Sequence, residues 1–182
     1  MNTYLHCQRV AQISLFIGKC IGLTNDDLNT LRHTALLHDI GKIKIPKKVL
    51  LKKDKLNDND WDVIKKHPEV GCKIAKRQHI DKDITEGIIS HHERWNGNGY
   101  PYGLKGEEIP LYGRIIGIAD ALDAMLNPRP YRQRPLQIDE ALVEVTVYAG
   151  IQFDSYIVKN LLLQDREVLY GALLGFRSRC LG

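Results

Sequence analysis

Apolar side chains recur every third or fourth position through most of this chain, and no stretch alternates in the two-residue period of a half-buried strand. That period is satisfied by helices that turn one face to a shared interior. Leu5, Val10, Ile13, Phe16, Ile17 and Ile21 trace one such face, and Gly22 follows as a stop. Thr24, with Asp27 three positions later, is close to a capping box for a second helix through Leu28, Leu31, Ala35 and Leu36, whose end Gly41 and Pro46 bracket. A helix is expected after Asn57 or Asp58, covering Trp61 and Ile64, and Pro68 stands in the first turn of the next. Another runs from about Lys82 into His91 and His92, residues 93–109 read as a loop, and Leu111 to Met125 is helical again. Pro135 is expected to open one more helix, Asp154 to cap the following one, and residues 165–182 to form a separate short helix with a basic tail. The fold class this predicts is all-α, a compact bundle of about seven to nine helices with no substantial sheet.

At 182 residues, with 43% hydrophobic and 26% charged side chains, the chain is long enough for one sizeable core and too apolar to be disordered. The apolar N-terminal stretch is interrupted by His6, Gln8, Arg9, Gln12 and Lys19, so it is neither an export signal nor a membrane helix, and the cytoplasm is the expected compartment. Cys7, Cys20, Cys72 and Cys180 are scattered, as free thiols filling a core would be; neighbours on a helix diverge by about 100°, which argues against Cys7 sharing a metal with His6. The net charge of +4 is mild, but Lys42, Lys44, Lys47, Lys48, Lys52, Lys53 and Lys55 crowd one segment, either a solvated rim or one that attracts a polyphosphate or dinucleotide. No aromatic residues interleave with them, so a long nucleic-acid strand is not an expected partner.

The chemistry lies in seven histidines and a few carboxylates. A lone histidine is more often a surface or core residue than a ligand, and His33 and His79 are left there. His6, His38-Asp39, His67, His91-His92 and Asp120 are different: imidazoles and carboxylates on several helices are what a hydrolytic metal site in a bundle draws together. Neighbours in a regular helix cannot point at one ion, but a helix that gives way just after them allows it. Both dyads stand at such a break, and Asn96-Gly97 soon follows the second.

Together "HDIGKIKIP" at 38–46, "HP" at 67, "HHERWNGNGYP" at 91–101 and "ADALDAM" at 119–125 resemble the HD-GYP family, a branch of the HD-domain metal-dependent phosphohydrolases. "HCQRV" at 6–10, "RPYR" at 129–132 and "IQFD" at 151–154 extend the match in the family's order over about residues 5–163. The resemblance implies an HD-type helical bundle over 1–163, with 164–182 as a C-terminal helical tail of unknown role. It implies two divalent metal ions, iron or manganese: His6, His38, Asp39 and Asp120 holding one, His67, His91 and His92 the other, with Asp39 bridging. Its activity would be hydrolysis of cyclic di-GMP to linear pGpG and onward to GMP, by a hydroxide held between the metals.

Asp39 and Lys42 are then the expected catalytic residues, and Lys42, Tyr100, Asp123, Arg129 and Arg132 the expected substrate contacts; Asp123 could equally orient a ligand or an arginine from its position one turn after Asp120. Implied partners are a cyclic dinucleotide and a diguanylate cyclase docking on the GYP loop; since the first motif lies so close to Met1, a regulator is expected to be missing or to act in trans. Two departures bear on this. Asn2 stands where members with a third metal carry Glu, and "FDS" at 153–155 replaces the usual FDP. Alternatives are a mixed cyclic dinucleotide as substrate, or a catalytically weak receptor.

Overall fold

A computed structural model describes residues 3–52, 54–128 and 134–178. Among them, nine helices of seven residues or more and one single-turn helix form the bundle: α1 (Thr3–Cys20), α2 (Asn25–Leu37), α3 (Lys47–Leu50), α4 (Asp58–Ile64), α5 (His67–Arg77), α6 (Lys82–Ser90), α7 (Leu111–Leu126), α8 (Ile138–Val147), α9 (Ser155–Leu162) and α10 (Arg166–Ser178). No strand occurs among the described residues, only two isolated bridges, Asn96 with Lys105 and Ala149 with Phe153.

The helix starts obey local hydrogen-bond demand. Thr24 and Asp27 form a full capping box at α2, as do Asn57 and Asp60 at α4, each satisfying backbone N–H groups that a first turn leaves without partners. Asp154 caps α9, accepting from the Tyr156 N–H. Pro135 does not open α8: that helix begins at Ile138, where Gln137 and Glu140 make the reciprocal cap a proline cannot make. The short turns at Ile40–Lys44, at α3 and at Gly106–Glu108 fall where the sequence shows only loop.

The main core is built from α1, α2, α7, α8, α9 and α10, with Val10, Ile17, Leu31, Ile115, Leu122 and Ile157 among its fully enclosed side chains. Ala75, Ile84 and Ile88 form a smaller core between α5 and α6. The terminal helix is not the separate element its sequence suggests, because Leu169 and Leu173 are buried in the main core. The helix dyads approach each other through two glycines. A Cβ on Gly41 would stand 2.0 Å from the His67 carbonyl oxygen, and one on Gly113 would stand 2.1 Å from Ser90 Oγ. Only a residue without a side chain lets the 40–44 turn touch α5 and α6 touch α7 at those points, which brings the four polar helix ends to one place.

Candidate metal centre

Where α2, α4 and α6 end, three histidines make the same local bond. His38 Nδ1 lies 2.7 Å from the Ala35 carbonyl oxygen, His67 Nδ1 2.7 Å from Ile64, and His91 Nδ1 2.6 Å from Ile88. Each carbonyl belongs to a last helical turn and needs a donor. Each Nδ1 therefore carries the proton, and each Nε2 turns inward as a bare lone pair. His6, in the first turns of α1, is held by a side chain instead: its Nδ1 is 2.7 Å from Asp123 Oδ2. Arg9 donates to the same carboxylate from Nε at 2.5 Å and Nη2 at 3.2 Å, and Asn127 Nδ2 donates to Oδ1 at 3.0 Å.

The inward atoms gather around Asp39. Its Oδ2 lies 3.6 Å from His6 Nε2 and 3.5 Å from His38 Nε2, while Oδ1 lies 3.3 Å from His67 Nε2. His6 Nε2 is also 3.3 Å from Asp120 Oδ1, and the Nε2 atoms of His67 and His91 are 3.3 Å apart. Ligand atoms of His6, His38 and Asp120 come within 4.8 Å of one another, and so do those of His67, His91 and His92. All but His92 and Asp120 are buried.

This set fits divalent cations. His38 Nε2 and Asp39 Oδ1 are buried without a hydrogen-bond partner, and polar atoms in that condition are costly unless something positive meets them. Burial pushes the pKa values of His38, His91 and His92 down, so all three are neutral bases at neutral pH. Burial works against the Asp39 carboxylate, but the His38 and His67 rings beside it and the Lys42 ammonium outweigh it and hold its pKa well below the usual range. Neutral imidazoles around an ionised carboxylate are the protonation states that ligation requires. Among the described residues, these groups give metal-ready clusters on both sides of Asp39.

Lys42 reaches the cluster, its Nζ 2.5 Å from Asp39 Oδ2. Tyr100 stacks on His92, ring centres 4.8 Å apart and tilted by 28°. Cys7 is buried, as a core thiol should be, yet its sulfur lies within 4.8 Å of ligand atoms of His38 and Asp39. Burial and the nearby Asp39 charge push its pKa up to about 12, which leaves it a neutral thiol. Asp123 is fully enclosed. Of the two roles the sequence left open for it, it takes the orienting one, bracing His6 and Arg9 from behind the site. Arg129, Arg132, Asn2 and Cys180 lie outside the described residues. His33 and His79 are exposed.

Several functional side chains escaped the sequence reading. Arg9 had a usable signal, one turn after His6 on the same face of α1. Glu93 is buried in the loop, accepting the Tyr102 N–H at 2.7 Å and the Leu104 N–H at 3.2 Å, which shapes the segment carrying Tyr100. Arg114 donates from Nη1 to Asp154 Oδ2 at 2.8 Å, a pairing across 40 positions that no local pattern announces. The same loop is tied down by Trp95 N–H to the Gln152 carbonyl and Asn96 N–H to that of Ile151. Beside the cluster it bounds a pocket of about 320 Å³ reached by His92, Tyr100, Asp120, Trp61, Trp95 and Arg114.

A family profile described as HD domain matches residues 3–157. A cyclic di-GMP phosphodiesterase of Thermotoga maritima is 36% identical over 170 residues, covering 92% of this chain and 46% of the relative. The 3'3'-cGAMP-specific phosphodiesterase 2 of Vibrio cholerae is 35% identical over 163 residues, covering 88% of this chain and 31% of the relative. Among solved structures, a cyclic GMP-AMP-specific phosphodiesterase of Vibrio cholerae superposes with a TM-score of 0.71 at 26% identity, over 95% of this chain and 48% of that one. The chain thus spans less than half the length of each.

Proposed function

The chain belongs to the HD-domain family, in its HD-GYP branch, and from that premise we propose that it is a phosphodiesterase opening a cyclic dinucleotide, cyclic di-GMP foremost, at two divalent metal ions. The observation that carries this is Asp39, whose two carboxylate oxygens turn to different groups of histidines. In this reading His6, His38, Asp120 and Asp39 would hold one ion, and His67, His91, His92 and Asp39 the other. Bound there, such ions lower the pKa of water and stabilise charge on attacking and leaving oxygens.

The remaining work falls to the chain. The carbonyls behind His38, His67 and His91, and Asp123 behind His6, fix which nitrogen faces the substrate phosphate. Lys42, already drawn to Asp39, offers its ammonium to charge building on the phosphoryl oxygens or a proton to the departing ribose oxygen. Tyr100 walls the phosphate side, and Arg129 and Arg132 suit bidentate contacts to phosphate or guanine. The reading includes two ions rather than three, because Asn2 supplies no carboxylate, and iron or manganese as the metals. It also includes a cytoplasmic location and the GYP loop as a docking surface for diguanylate cyclases.

Names among the relatives favour a second reading, a mixed cyclic GMP-AMP substrate. Chain purified anaerobically and loaded with iron or manganese is given each cyclic dinucleotide, and products are followed by chromatography, with Asp39→Ala as control. We expect pGpG from cyclic di-GMP. Fully metallated protein that releases no product from either overturns the enzyme reading, and faster turnover of the mixed compound moves the substrate assignment.

A further inference from the structure

We propose that the pocket beside the metal centre is a nucleobase subsite and that Trp61 is its stacking wall, gripping a purine while the adjoining phosphate lies on the metals. This rests on the phosphodiesterase reading and adds to it the residue that recognises the base. Trp61 is 45% exposed, and α4, which carries it, has no buried residue at all. The helix is held from its ends, by the Asn57–Asp60 capping box and by an ion pair from Lys52 Nζ to Asp60 Oδ2 at 2.5 Å. Core packing therefore does not dictate where the indole sits, and so large an apolar face left in water calls for another reason.

Trp61 lines the same pocket as His92, Tyr100 and Asp120, so one ligand in that pocket can meet both the indole and the metal centre. At about 320 Å³ the pocket is at the small end for ligand sites, matching a base with its sugar rather than a whole cyclic dinucleotide. Its remaining walls supply what a base needs at its edges. Gln152 brings an amide that donates and accepts, and Arg114 with Asp154 brings a donor and an acceptor already fixed against each other at 2.8 Å. The end of α4 also sets Lys65 Nζ 6.0 Å from the centre of the Tyr100 ring, so this helix faces the loop with a cation as well as an aromatic.

The test compares GMP with ribose 5-phosphate, which shares the phosphate and sugar but lacks the base. Affinities for the manganese-loaded full chain are measured by titration calorimetry, which does not depend on turnover. We expect GMP to bind about tenfold tighter or more, the scale of one stacked base. Trp61→Ala should erase most of that gap while leaving ribose 5-phosphate unchanged, and Trp61→Phe should restore much of it. Equal affinities in the native protein, or a gap that survives in Trp61→Ala, overturn the subsite and leave the metal–phosphate reading standing. If fully metallated protein binds neither compound, the phosphodiesterase reading falls and the subsite with it.

Discussion

His38, His67 and His91 are aimed by the main chain, each through a carbonyl three residues back at a helix end, whereas His6 is aimed by a carboxylate 117 positions away. The two arrangements serve one purpose, since both leave Nε2 facing the cluster. They differ in what maintains them. A main-chain brace survives any side-chain substitution that keeps the helix end, and it costs the fold nothing because that carbonyl needs a donor anyway. A carboxylate brace depends on Asp123 staying ionised in a buried position. Burial opposes that, and hydrogen bonds from His6 and Arg9 overcome it. The His6 corner is thus the part of the site open to tuning and to damage by substitutions outside the ligand set.

The strongest way to erase the distinction is Asp39→Ala, which takes one oxygen from each corner. Hydrolysis should fall by at least about 10³-fold and both ions should be lost, checked by product analysis and elemental analysis of purified protein. Asp123→Asn separates the corners: affinity at the His6 side should drop about 10–100-fold, with the histidine triad of His67, His91 and His92 retaining its ion in a metal titration. Loss of both ions together would mean that the corners are not independently braced.

Acidification probes both corners at once in chelated protein. His38, His91 and His92 have pKa values depressed by burial, so the unfolded chain binds more protons than the fold below its own histidine pKa of about 6.5. Urea-unfolding free energy should decline as pH falls from 7 to 5, by up to about 1.4 kcal/mol per pH unit for each such histidine. Asp39 contributes in the same sense but outside this window: its depressed pKa lends stability above about 3.9 that is lost only as pH falls below that. A flat profile would show these imidazoles charging freely in the fold. The smallest effect belongs to Ile88→Val, at the residue whose carbonyl braces His91. It should cost about 0.5–1.5 kcal/mol of stability yet leave metal affinity within about twofold, because the brace is main chain.

The same contrast explains what the sequence made legible. That dyads such as His38-Asp39 and His91-His92 face one place could be read because the deciding geometry is local, a helix that stops within a few residues. The all-α bundle was legible for a similar reason, through period and caps, with Pro135 the misplaced start because Gln137 and Glu140 offered a better cap three residues on. What lies behind the site was not. Its spacing to Asp120 left Asp123 open to either a substrate contact or an orienting role, and only the packing of α1 against α7 turns it to His6. Arg114 and Asp154 find each other only once the loop and α9 are in place. Arg129 and Arg132 remain proposals from the motif alone.

The last helix carries a different lesson, about where such a body stops. Motif resemblance runs out near residue 163, which invites a cut there. Yet Leu169 and Leu173 are sealed in the main core, and α10 lies along α1, the helix that presents His6. A chain trimmed to its recognisable motifs would open a water-filled seam along the helix bearing its first ligand. Among the described residues the edge of this body is drawn by Leu173, ten positions past the point where the motifs run out.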